Sequence, residues 1–197
     1  MYLGIAFVHW LVILSALISL TGSIAYIRDT IKGTTKPNRV SYFVWALAPI
    51  LGAAAAVAAG ADLWATIRVF VSGLIPLVVL LVSVFNPQSY WKITRFDLLC
   101  GVAALVALGF WLLADSPIIA ILFFAIADGF ALIPTLIKAW RFPETETGYA
   151  YIAGLIAVLL VIPSIPVWNI ENSAFQIYLL IANILLIGCV YRKKLFR

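Results

Sequence analysis

Seven stretches of apolar residues, each about as long as a helix needs to cross a bilayer, follow one another through this chain with only brief polar connectors between them. They cover residues 3–26, 41–60, 63–85, 96–114, 118–140, 149–167 and 174–190. With 65% of its residues hydrophobic and only 11% charged, the chain cannot cover such segments with polar surface of its own. Lipid is the solvent they fit, and in lipid every backbone N–H and C=O must be bonded within the segment. An all-α membrane protein with seven transmembrane helices is therefore predicted. Gly33 to Asn38, Gly60, Asn86-Pro87, Asp115-Ser116-Pro117, Phe142-Pro143 and Asn169 to Ser173 supply the turn chemistry of the connectors, none long enough to hold a separate soluble domain.

The net charge of +5 is distributed along the chain in a way that tests the count of crossings. Cytoplasmic connectors accumulate Lys and Arg, whereas exported ones do not. The first connector carries Arg28, Lys32, Lys36 and Arg39, the third Lys92 and Arg95, the fifth Lys138 and Arg141, and the tail Arg192, Lys193, Lys194 and Arg197. Twelve of the thirteen basic residues thus fall on one side if the chain crosses seven times. The N-terminus is then outside and the C-terminus cytoplasmic. Basic residues scattered over short connectors also argue against a nucleic-acid surface. Trp10, Trp64, Trp111 and Trp168 sit toward the outer ends of the runs and Trp45, Trp91 and Trp140 toward the inner ones, as interfacial anchors do. The first run lacks the basic leader of a secretory signal and reads as a retained helix. A prokaryotic inner (plasma) membrane is the expected location.

The chain also resembles itself. At a constant offset of about one hundred residues, the segment from Ala25 to Pro37 lies over that from Ala131 to Pro143, and Ala25, Ile27, Ile31, Lys32 and Pro37 meet identical residues without a gap. The end of run one is thereby laid on the end of run five. Runs one to three and five to seven become parallel copies, and run four is the inverter an odd repeat needs. The expected architecture is two parallel three-helix bundles joined by an inverter helix: residues 1–86, a linker at 87–116, and residues 117–197.

The stretch from Ile133 through Pro134 to Arg141 resembles the proline-containing helix end and basic loop of PQ-loop transporters, and Ser41 with Trp45 resembles the small residue and tryptophan that follow in the first copy. The three-one-three layout is similar to that of SWEET-type sugar transporters. Thr135 stands where that superfamily has its glutamine, so the resemblance is to a distant member. The resemblance implies a transporter that rocks between outward-open and inward-open states at flexible prolines.

Four residues are candidates for binding substrate or coupling protons. Asp128 falls near the middle of the fifth run, where a carboxylate costs roughly 2.5–3.5 kcal/mol on insertion scales and should face a partner or a cavity. Asn183 is central in the seventh run, where an amide must find a hydrogen bond; the resemblance implies a substrate-touching asparagine there, with Ser72 at the matching depth of run three. Arg68 stands outside the cytoplasmic basic set and either snorkels outward, pairs with Asp128 or reads an anionic group. His9 is a minor candidate for a proton relay, and a packing histidine otherwise. Pro134, Pro49 and Pro163 are candidate hinges, because each removes a backbone donor from its helix. Cys100 and Cys189 read as small hydrophobes, so neither a disulfide nor a metal site is expected, and no cofactor is implied.

No metal signature, nucleophile elbow or phosphate-cradling glycine loop is present, so an enzyme is not expected. Nor does run seven offer a lysine for a retinal Schiff base before Lys193. The leading reading is a secondary transporter, a uniporter or a proton-coupled carrier, of a small polar metabolite. The alternative is a non-transporting seven-helix receptor or assembly protein. Its partners are then the bilayer, a small-molecule substrate, protons in the coupled case, and other copies of itself if it forms a homo-oligomer. In a cysteine-free background, Lys32→Cys and Glu144→Cys should react with a membrane-impermeant thiol reagent only from the cytoplasmic face, and Asp115→Cys only from outside. Labelling of positions 32 and 115 from the same face would break the alternation.

Overall fold

Each apolar run closes its backbone hydrogen bonds as an α-helix. The structure, a computed structural model, describes residues 2–58, 60, 63–165 and 167–195. The helices are α1 (Tyr2–Ile31), α2 (Arg39–Ala58), α3 (Leu63–Phe85), α4 (Arg95–Leu112), α5 (Pro117–Arg141), α6 (Gly148–Val161) and α7 (Ile170–Leu195). Short 3-10 turns lie at Pro87–Ser89, Pro143–Thr145 and Ile162–Ser164, and no strand occurs among the described residues. Among the described residues, five helices are long and apolar enough to cross a membrane, over Trp10–Ile31, Arg39–Ala58, Arg95–Leu112, Ile118–Arg141 and Asn172–Lys194; Val69–Phe85 and Gly148–Ser164 are shorter apolar stretches. The chain is an integral membrane protein.

Local chemistry sets the helix ends. The side-chain amide of Asn86 donates to the carbonyls of Thr30 and Ile31 at 2.9 and 2.8 Å, so α1 continues past the apolar run that ends at Tyr26. Gly33 then turns the chain with φ of +73°, a conformation a side chain would strain. Thr94 and Asp97 form a capping box that starts α4. The sixth apolar run continues to residue 167, but α6 stops at Val161 because Pro163 cannot donate and the backbone tightens into a 3-10 turn.

Packing is inverted relative to a water-soluble protein. Large side chains such as Leu99, Val102 and Val106 point outward, whereas Ala104, Ala127, Ala131, Ala139 and Ala153 are buried between helices. Lipid is as apolar as leucine, so helices gain by approaching closely over small residues rather than by hiding large ones. At the contact of α1 with α6, a Cβ on Gly22 would lie 2.8 Å from that of Ala153 and 3.2 Å from the Ala150 backbone.

The neighbour relations repeat. Helix α3 packs on α1 and α2, and α7 packs on α5 and α6; α1 packs on α6, and α5 on α2; α4 lies against α5 and α2. In the register that lays Pro37 on Pro143, each of these contacts among α1–α3 and α5–α7 falls on another one. Two hydrogen bonds obey the same register. Thr135 donates to Ser41 at 2.9 Å, and Thr147 donates to Asp29 at 3.0 Å. Ser41 corresponds to Thr147, and Thr135 to Asp29, so each bond ties the end of one copy's first helix to the start of the other copy's second.

Gly22→Leu should force α1 from α6 and lower the thermal midpoint in detergent, since overpacking a tight contact costs about 1–3 kcal/mol. Gly109→Leu is the control, because a Cβ there meets nothing within 4 Å, and its midpoint should hold or rise.

Candidate functional site

Asp128 lies near the middle of α5, where lipid would leave its carboxylate without partners. The fold supplies them. Tyr178 on α7 donates its hydroxyl to Asp128 Oδ2, and Trp45 on α2 lines the same cavity as the carboxyl. The group faces a cavity of about 360 Å³ bounded by α2, α3, α5, α6 and α7.

Asn183, Ser72 and Pro49 line the same cavity, so the structure brings together three of the residues singled out as site candidates with one of the candidate hinges. The Asn183 amide donates to the Leu179 carbonyl of its own helix at 2.8 Å, and the Ser72 hydroxyl donates to Val69 at 2.6 Å. Pro49 and Pro76 also belong to the wall. Each removes the N–H that would bond the carbonyl four residues earlier, which here are those of Trp45 and Ser72. Trp45, expected at an interface, instead stands in the cavity wall beside Phe124 and Phe175.

The remaining candidates lie elsewhere. Pro134 is fully buried one turn beyond Phe130 in α5, next to the cavity but not among its lining residues. Pro163 lies in the 3-10 turn after α6. The side chains of Arg68 and His9 lie outside the described residues, although the backbone at both positions is helical.

A second polar cluster was not legible as a site in the sequence. The side chains of Lys138 and Glu146 are almost completely enclosed and form an ion pair at 2.5 Å. Glu146 also accepts from the Tyr26 hydroxyl at 2.9 Å and the Tyr151 hydroxyl at 2.6 Å. Lys138 further donates to the carbonyls of Lys36 at 2.5 Å and Thr145 at 3.2 Å, which engages all three ammonium protons. Trp91 covers the ammonium with its ring 5.2 Å away. One carboxylate and one ammonium thereby tie α1, α5 and α6 to the first and fifth connectors. Lys138 reads in sequence as one more cytoplasmic charge, and Glu146 as one more acid in a polar connector; only the turn at Pro143–Thr145 folds the second back onto the first.

Comparison with protein-family models, curated proteins and solved structures gives no match to this chain.

Lys138→Met should destabilise the protein by about 3–5 kcal/mol, because it strands a buried carboxylate. Adding Glu146→Leu should recover much of that loss in a thermal or denaturant melt. A single variant as stable as wild type would show that the pair contributes nothing.

Proposed function

We propose that the protein is a secondary transporter of a small polar metabolite, moving it by alternating access between α1–α3 and α5–α7 with α4 as the linking helix. One observation carries this reading. At mid-depth between these two groups of helices, an intramembrane acid, an amide and a hydroxyl converge on one cavity that a small solute fits. The matched packing and the paired bonds of Ser41 and Thr147 support treating the two groups as copies that can rock against each other about a fixed site. Pro49 and Pro76 weaken α2 and α3 beside the cavity, where such a motion needs compliance.

The polar cluster on Glu146 supports a conformation held shut at the end where the first and fifth connectors meet. In the orientation expected from the basic residues, that end is cytoplasmic, with N-terminus out and C-terminus in. Transport then requires the Tyr26 and Tyr151 bonds to Glu146 to part as substrate leaves. Asp128 is the acid that meets substrate or proton on the way, with Tyr178 positioning it.

Purified protein in proteoliposomes should take up a member of a panel of amines, sugars, amino acids and vitamins faster than protein-free vesicles. Asp128→Asn should lower that flux at least tenfold. An Asp128→Asn variant with unchanged flux removes the acid from the mechanism, and wild-type protein without flux for any class favours the non-transporting receptor.

A further inference from the structure

The side chains around the central cavity differ in what they can still offer a ligand. Most of the described donors are engaged within the protein: the Ser72 hydroxyl on Val69, one N–H of the Asn183 amide on Leu179, the Tyr151 hydroxyl on Glu146 and the Tyr178 hydroxyl on Asp128. Acceptors are in surplus. A carboxylate offers about four lone-pair sites, and Tyr178 accounts for one of those on Asp128. The carbonyls of Trp45 and Ser72 have lost their helical donors to Pro49 and Pro76.

The wall's charge and shape point the same way. Asp128 is the one ionisable carboxyl among the described lining residues, and these include no Lys, Arg or His. Most of the remaining wall is apolar, and Trp45, Phe124, Tyr151 and Phe175 contribute aromatic rings. Such rings attract a cation over their faces, and the attraction grows where water is excluded. A sugar needs several donors as well as acceptors from its site, more than the second N–H of Asn183 supplies, and an anion would meet the carboxylate.

We infer that this cavity binds a monocationic amine with an apolar or aromatic body, its ammonium on Asp128 and its body among the aromatic rings. The inference rests on the cavity being the substrate site of the proposed carrier. An ammonium is also the group that can take the place of a proton at the carboxyl, which gives a carrier one acid for both. The dimensions agree: about 360 Å³ accommodates a single ring with a short tail and leaves room for little more.

The test compares three probes of similar shape on the detergent-solubilised full chain by isothermal titration: 2-phenylethylammonium, 2-phenylethanol and 3-phenylpropionate. The amine should bind at least tenfold tighter than the alcohol, and the carboxylate should not bind. Asp128→Asn should reduce amine binding to the level of the alcohol while leaving the thermal midpoint near that of wild type. Should that variant fail to fold, Ser72→Lys, which places a cation in the wall, should cause the same loss. The inference is overturned if the alcohol or the carboxylate binds as well as the amine, as an Arg68-dominated site would require for the carboxylate, if none of the three binds, or if the amine binds Asp128→Asn unchanged. Amine binding without amine flux would leave the site assigned and remove the transport reading. Flux of a neutral or anionic solute without amine binding would do the reverse.

Discussion

The enclosed pair of Lys138 and Glu146 organises one end of this protein. A buried ion pair pays a large desolvation penalty, and it persists only where further hydrogen bonds satisfy the remaining lone pairs and protons. Here Tyr26 and Tyr151 complete the carboxylate, while the carbonyls of Lys36 and Thr145 complete the ammonium. The partners come from α1, α5, α6 and two connectors, so satisfying two charges fixes the relative position of helices far apart in sequence. The 3-10 turn at Pro143–Thr145 folds Glu146 back onto Lys138, and the bonds of Tyr26 and Tyr151 to that carboxylate add to the contact of α1 with α6.

The opposite economy governs the middle of the bilayer. There the register that pairs Pro37 with Pro143 lays Asp128 on Gly22 and Tyr178 on Ser72. Gly22 lets α1 approach the backbone of α6 closely, whereas Asp128 on α5 lines the cavity. One equivalent position thus holds a close-packed glycine in the first group of helices and a carboxylate on the cavity in the second.

Much of this was legible in the chain itself. Hydropathy placed all seven helices, and the single run of matched residues around Pro37 and Pro143 anticipated a register that the hydrogen bonds obey. Asp128, Asn183, Ser72 and Pro49 converge because a polar or helix-breaking residue in an apolar run has few places to go except toward others like it. Three features were hidden. The end of α1 depends on Asn86, which is distant in sequence; Trp45 looks like any interfacial tryptophan until the cavity wall assembles around it; and Glu146 is indistinguishable from the exposed Glu144 until the turn that holds them is built. Each depends on a tertiary contact rather than on local pattern or composition.

Access to Ser72 bears most directly on whether the cavity belongs to a transport path. In a protein whose own cysteines are replaced, Ser72→Cys should be modified by a membrane-impermeant thiol reagent added to either face of sealed vesicles. Modification from one face alone, under every ligand and pH condition, would mean that the cavity never changes sides, and the protein would then be a receptor or scaffold rather than a carrier.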